Sequence, residues 1–428
     1  MRPVKQPGSP TTPTTRDISR ANRLTILRYL YAGKAASRPE LSRISGLSPA
    51  TVANLVTDLI DAGIVAETGV RISAGGRPRA ELAVNAGRGV LVGVDVAETY
   101  VHFELFDLGL RLVQAVERAL HPEENQPVQL IEHLVLGLER LLSDADIRPE
   151  RVLGVGISVP GLVDRTAGVS IFAPNWGWRG VPLLRLLGER LPFPIQLDNP
   201  LKASATAELW FGAGWQADNV ITLVLGTGVG AGIITNGTVY RGETNSAGEW
   251  GHTTVVIDGR VCRCGGRGCL EAYVGAPGIA QHLRELAPES DLLNTDDQTA
   301  TVQAIAAAAA NGDPPATQVV RTTARYLGVG VANLVNLFNP RIVVLGGWVG
   351  LALGPVLMPE LERVVAGYAL EQPLRATSLQ LGQLRHNPVS MGMATVALES
   401  WLARLESRVT PDGLAPASGV GRLESADR

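Results

Sequence analysis

Four short apolar runs set the tightest limit on the fold: GVLVGVDV (89–96), VLGVGISV (152–159), VITLVLG (220–226) and RIVVLGG (341–347). Runs this short, without polar alternation, read as strands buried on both faces, the pattern of an α/β sheet covered by helices. Longer helical stretches separate them. Two segments, LVGVDVAETYVHFELFD (91–107) and TLVLGTGVGAGIITNG (222–237), each read as a strand, a tight turn and a returning strand. They predict a body of two related halves. At 428 residues the chain is too long for one compact core, which implies two or three domains. No apolar run approaches the roughly 18 residues of a membrane span. The opening MRPVKQPGSPTTPTT has no apolar h-region, so the expected location is the reducing cytoplasm.

The first part of the chain reads differently. Residues 1–15 are rich in Pro and Thr and read as a disordered arm, and residues 16–86 as a small DNA-reading domain. From Ser19 the pattern is helical, with Leu24, Leu27 and Tyr31 on one face. Ser37 stands three residues before Glu40, a capping-box spacing that opens a second helix through Ile44 with Arg38 in its first turn. Gly46 ends it, Ser48 caps a third helix, and Pro49 fits that helix's first turn. Val52, Leu55, Val56, Leu59 and Ile60 form the third helix's apolar face. Ser48, Ala50, Thr51, Asn54 and Thr57 lie on its other side, where small hydroxyl and amide groups reach base edges or phosphates. In the following SAGGRPRAEL, Gly75, Gly76 and Pro78 shape a loop from which Arg77 and Arg79 project, suited to a minor groove. The whole is a winged helix-turn-helix with Arg38 and these side chains as its DNA contacts. Charge agrees: residues 1–90 hold thirteen Lys and Arg against six Asp and Glu, a charge of +7 on a chain of net −3, which leaves −10 for the rest.

All three cysteines fall together, at Cys262, Cys264 and Cys269, with His252 ten residues ahead of the first. Three thiolates and one imidazole make a complete tetrahedral set for Zn2+. Gly265, Gly266 and Gly268 allow the loop to fold around the ion. With four protein ligands no position stays open for water, so the expected zinc is structural.

GEWGH (248–252) followed by CRCGGRGCLE (262–271) resembles the signature of the ROK family, which holds bacterial sugar kinases and sugar-responsive repressors. The resemblance runs on through GISVPGLVD, APNWGW, AELWFGAG, LGTGVGAGII and NPRIVVLGG, and spans nearly all of residues 16–405. It implies an α/β fold: the N-terminal winged helix-turn-helix, then at 87–405 a two-lobed, actin-like ATPase (ribonuclease H-like) domain hinged near 200 and 385. Residues 406–428 are then a flexible tail. It also implies that Glu249, His252 and Glu271 accept hydrogen bonds from sugar hydroxyls, that Asn199 contacts the sugar, and that Asn175 lines the same cleft.

The family's kinases need an Asp-x-Gly-Gly-Thr turn for ATP phosphates and an Asn-Asp pair whose aspartate is the general base. Here the turn reads Asp95-Val96-Ala97-Glu98-Thr99 and the pair reads Asn199-Pro200. Both glycines are replaced, and proline takes no proton; Asp198 is the only nearby carboxylate in that segment. The expectation is therefore no enzyme and no catalytic residue, but a transcriptional regulator, most simply a repressor of carbohydrate uptake or catabolism genes. Its partners would be a double-stranded operator with an inverted repeat, a sugar or sugar-phosphate effector, and further copies of itself in a dimer or tetramer. The alternatives are an active sugar kinase with a DNA-binding head, or a regulator that answers to a protein or a non-sugar ligand.

Overall fold

The computed structural model describes residues 15–31, 35–71, 79–121, 124–215, 217–293, 297–384 and 386–409. The head contains α1 (Thr15–Tyr31), α2 (Arg38–Ser45), α3 (Pro49–Asp61) and an antiparallel pair, β1 (Val65–Arg71) and β2 (Arg79–Val84). α1 starts four residues ahead of Ser19, because its polar first turn carries no apolar period. The capping box forms: Glu40 accepts from the Ser37 amide and hydroxyl, both at 2.8 Å. Gly46 follows α2 at φ 70°, and the Ser48 hydroxyl accepts from the Thr51 amide at 3.1 Å. Ile26 and Leu27 of α1 and Val52, Leu55, Val56 and Leu59 of α3 belong to one buried apolar core, and Arg23 of α1 pairs with Asp58 of α3 at 3.5 Å. The glycines and Arg77 expected at the wing tip fall in 72–78, outside the described residues; Arg79 at the root of β2 is exposed.

The turn Ala86–Arg88 leads into the first lobe. It comprises β3 (Val90–Val96), β4 (Tyr100–Asp107), β5 (Leu112–Ala119), α4 (Pro127–Asp144), β6 (Val152–Ser158), the small sheet of β7 (Leu162–Asp164), β8 (Val169–Ala173) and β9 (Trp178–Val181), α5 (Leu183–Gly188) and β10 (Ile195–Asp198). α6 (Pro200–Phe211) carries the chain over to the second lobe. There β11 (Val220–Leu225), β12 (Val229–Thr235) and β13 (Thr238–Val239) precede α7 (Glu271–Val274), α8 (Ala276–Leu286), α9 (Gln298–Ala310) and α10 (Pro314–Phe338). β14 (Ile342–Gly346), α11 (Gly347–Tyr368), α12 (Glu371–Ala376) and β15 (Ser378–Leu381) complete the lobe, and α13 (Pro388–Val409) returns to the first.

The two main sheets run β5-β4-β3-β6-β10 and β13-β12-β11-β14-β15. In each, the first three strands of the half pair antiparallel and the last two add in parallel on the other side of the first. The repeat expected from residues 91–107 and 222–237 is therefore one topology used twice. β3 is buried along its whole length, as a strand covered on both faces must be. Glycine lets α13 lie against it: a Cβ on Gly93 would stand 1.8 Å from the Ser390 carbonyl oxygen, and one on Gly156 of β6 2.0 Å from that of Met393. Among the described residues no helix is long and apolar enough to cross a membrane.

The second lobe holds a buried aromatic stack in which the Tyr326 ring lies 4.4 Å from Tyr273 and 5.7 Å from His282. Burial, helped by the neighbouring Arg260 guanidinium, pulls His282 down to about 4. Its lowered folded value means that the neutral ring is stabilising above the unfolded value near 6.5. Stability is then lost as pH falls from about 6.5 through about 4. Urea midpoints measured across that window are expected to fall less steeply in His282→Gln than in the parent chain.

Candidate functional site

The loop after β13 turns back over β12 and builds one wall of the cleft. Gly248, at φ 93°, and Gly251 press it onto that strand: a Cβ on either would come within 2.0 Å of a β12 carbonyl oxygen. Trp250 anchors the turn from below, donating its indole N–H to the Gly330 carbonyl at 3.1 Å. This leaves Glu249 half-buried and brings His252 towards the cysteines. The donor atoms of His252, Cys262, Cys264 and Cys269 all lie within 4.8 Å of one another. His252 Nδ1 is 3.7 Å from Cys262 Sγ, and Cys264 Sγ is 3.8 Å from Cys269 Sγ. A tetrahedral ion with metal–sulfur bonds of about 2.3 Å has sulfur–sulfur edges of about 3.8 Å, so the Cys264–Cys269 separation suits such an ion and the four donors form a group that could hold one. Gly265 at φ 91° and Gly268 at φ 71° turn the loop, and a Cβ on Gly268 would meet the Val256 oxygen at 1.6 Å. Burial pushes the Cys262 thiol up to about 12, so a cation has to displace its proton before the sulfur can bind.

Glu271 starts α7 directly behind this loop. One oxygen accepts from the Val229 amide at 2.9 Å and the other faces Cys262 Sγ at 3.6 Å. At Glu249 burial raises the carboxyl above the ordinary value, opposed by the charges of Lys202 and His252, and reinforced by Glu271. Were Nδ1 of His252, 3.7 Å from Cys262 Sγ, to ligate an ion, the other ring nitrogen would carry the hydrogen and donate rather than accept.

The opposite wall holds a network that the sequence reading missed. Asp198, fully buried at the end of β10, accepts from Arg241 at 2.7 Å, pairs with Arg165 at 3.3 Å, and accepts from Asn245 at 3.2 Å and from the Asn199 amide at 2.9 Å. Arg241 and Asn245 belong to the second lobe, Arg165 to the first. Asn245 also donates to the Val163 carbonyl at 3.0 Å, and Lys202, buried in α6, donates to that of Ala247. Segment 241–247 is thus pinned across the cleft. The two carboxylate oxygens of Asp198 face four nitrogen donors.

Two expected sugar ligands have other partners here. Asn199 caps α6, its side-chain oxygen accepting from the Lys202 amide at 3.1 Å, and its amide reaches the Gly161 carbonyl at 3.4 Å. Asn175 donates to Glu98, which also meets Arg263 of the cysteine loop at 3.3 Å; Arg263 in turn donates to the Thr227 carbonyl at 3.0 Å. Glu98 therefore bridges the lobes at the turn where the kinases have glycine. Asp95 is buried and accepts from Asn387 at 2.9 Å and Tyr100 at 3.2 Å. A charged residue inside a glycine-poor turn was the one hint of the Glu98 bridge, and nothing in the spacing pointed to Arg263 as its partner.

On the head, Ser48, Ala50, Asn54 and Thr57 are exposed and Thr51 is half-buried, all on one side of α3. Arg38 is held by Glu67 at 2.9 Å, which turns it to β1.

A model described as the ROK family matches residues 91–400, and one described as winged helix-turn-helix DNA-binding matches residues 19–66. The xylose repressor of Caldicellulosiruptor bescii is 29% identical over 394 residues, covering 90% of this chain and 97% of that protein. Among solved structures, a ROK family transcriptional regulator homologous to the E. coli Mlc protein superposes at TM-score 0.75 with 26% identity, over 91% of this chain and 98% of that one. A ROK family glucokinase from Streptomyces griseus, solved with glucose and AMPPNP, superposes at TM-score 0.63 with 28% identity over 73% of this chain and 100% of its own.

Proposed function

This chain belongs to the ROK family, and on that premise we propose that it is a sugar-responsive DNA-binding transcriptional repressor of carbohydrate uptake or catabolism genes, acting in the cytoplasm. The observation that carries the reading is one chain holding both a winged helix-turn-helix and a sugar-kinase-like domain that lacks the kinases' Asn-Asp pair. Pro200 stands at the base's position, and Asp198 is committed to two guanidinium groups and Asn245. It does not phosphorylate sugars.

His252, Cys262, Cys264 and Cys269 hold a structural zinc. The ion keeps the cysteine loop folded and fixes the His252 ring, and thereby sets Glu249 and Glu271 at the cleft. A polyol entering there meets the Glu249 carboxylate as acceptor and the His252 ring N–H as donor, with Glu271, Asn199 and Asn175 around it. The exposed face of α3 enters the major groove and Arg79 lies beside the backbone, two heads in a dimer reading an inverted repeat. The effector changes operator affinity only by the difference in its affinity for two placements of the heads.

Footprinting of the purified protein on the DNA upstream of its own gene tests the reading, with D-xylose, N-acetylglucosamine and their phosphates added in turn. A protected palindrome released by one of them is expected. Protection indifferent to every sugar would leave the repressor and remove the sugar switch; sugar-dependent ATP consumption would return the chain to the kinases.

Glu249→Gln supplies a narrower check. Burial makes the ionised carboxyl unfavourable in the folded state, so the amide is expected to match or raise the ligand-free melting temperature at pH 7. Because the folded value is raised, that advantage shrinks as pH falls towards the ordinary carboxyl value. The sugar-induced shift of the melting temperature disappears at either pH.

A further inference from the structure

The head is seated on both lobes at equivalent places. The turn between β4 and β5 and the turn between β12 and β13 occupy the same position in the two sheets, each joining the second and third strands of its half. Tyr31, the last residue of α1, is buried and donates its hydroxyl to the Leu108 carbonyl in the first of these turns at 2.7 Å. Arg28, one turn earlier on the same helix, donates to the Gly237 carbonyl in the second at 3.4 Å. Between the two contacts lies Trp210 of α6, with the Tyr31 ring 5.6 Å away edge-on and the Arg28 guanidinium 5.5 Å above its ring. The other end of α6 is the Asn199 cap beside the cleft. Within the head, Ile26 and Leu27 of α1 share a buried core with the apolar face of α3, and Arg23 meets Asp58 of α3 at 3.5 Å.

We propose that the C-terminal turn of α1 is a strap across the two lobes, with Arg28 and Tyr31 as its fastenings, and that it converts the angle between the lobes into the placement of the DNA-reading helix. A rotation of one lobe against the other changes the separation of Leu108 from Gly237. A single rigid helix cannot follow both turns without tilting, and a tilt of α1 carries α3 with it, because their shared core is close-packed. Reading the tilt as the route from sugar to operator rests on the proposed function. The strap itself does not, and its test needs neither sugar nor DNA.

Hydrogen exchange of the full chain is compared among the parent, Tyr31→Phe, Arg28→Met and the double variant, all of which keep the apolar bulk of the replaced side chains. A strap cut at one end is cut altogether. Each single variant is expected to speed exchange in the cross-cleft segments 97–99 and 241–247 by about fivefold, the equivalent of one buried hydrogen bond of ~1 kcal/mol, and the double variant by no more than the singles. Additive effects in the double variant, or acceleration confined to α1 and the turn next to each replaced residue, would overturn the proposal. Should the strap hold while every sugar leaves operator binding unchanged, it is the effector reading that fails.

Discussion

Serine in place of Cys269 is expected to abolish metal retention and to lower the melting temperature of the chain by about 10 °C, the change that a loss of some 3–5 kcal/mol makes in a domain of this size class. The reason is geometric. The loop from Thr253 to Leu270 has few paired strands of its own, holding only the single bridges Thr254 to Cys269 and Val261 to Arg267. Its two left-handed glycines, Gly265 and Gly268, are entropically costly to fix without an ion to fold around. Metal analysis should give one zinc per parent chain and none for the variant. A chelator added to the parent should reproduce the variant's melting curve, and a parent chain that melts unchanged after losing its metal would remove the structural role. Because Arg263 lies between two of the ligands, loss of the ion should also free Glu98 and raise exchange at residues 97–99.

Asp198→Asn is the second large effect. Removing one partner of a buried ion pair leaves the others unpaired, at a cost of about 3–5 kcal/mol. Here two guanidinium groups, Arg165 and Arg241, would be left facing a neutral amide. The loss should be strongly non-additive: Arg241→Met in the Asp198→Asn background is expected to cost much less than in the parent, since the charge it removes is already uncompensated. Urea unfolding of the four members of that cycle measures the coupling. The two arginines reach Asp198 from different lobes, so the same variants should loosen segment 241–247 without touching the metal. Were Asp198 a latent base, its replacement would change ATP turnover; none is expected before or after.

Much of this architecture was legible in the residues. The capping box at Ser37 and Glu40, the Gly46 turn and the Ser48 cap announced α2 and α3, because each rests on local chemistry that neighbours cannot easily overrule. The doubly buried strands declared themselves by unbroken apolar runs, and the four metal-type donors by the rarity of cysteine in the chain. What stayed hidden is what depends on distant partners. Asn199 and Asn175 are expected to contact the sugar and to line its cleft, and nothing in their spacing tells that one caps a helix and the other serves Glu98. The anchoring of Asp198 by Arg165 and Arg241 joins residues 33 and 43 positions away, and no periodicity encodes such a pairing. The start of α1 was missed for the opposite reason, since its polar first turn has no apolar face to betray it.

The path of α13 also bears on the order in which the molecule can assemble during synthesis. The second lobe's sheet is contiguous in sequence, from β11 to β15, and can close while the C-terminal helix is still within or just leaving the ribosome. The first lobe cannot. Its central strands β3 and β6 carry Gly93 and Gly156 to receive Ser390 and Met393, some three hundred and two hundred and forty residues later. Until α13 emerges, that face of the sheet stays uncovered, and the half made first is the last to finish.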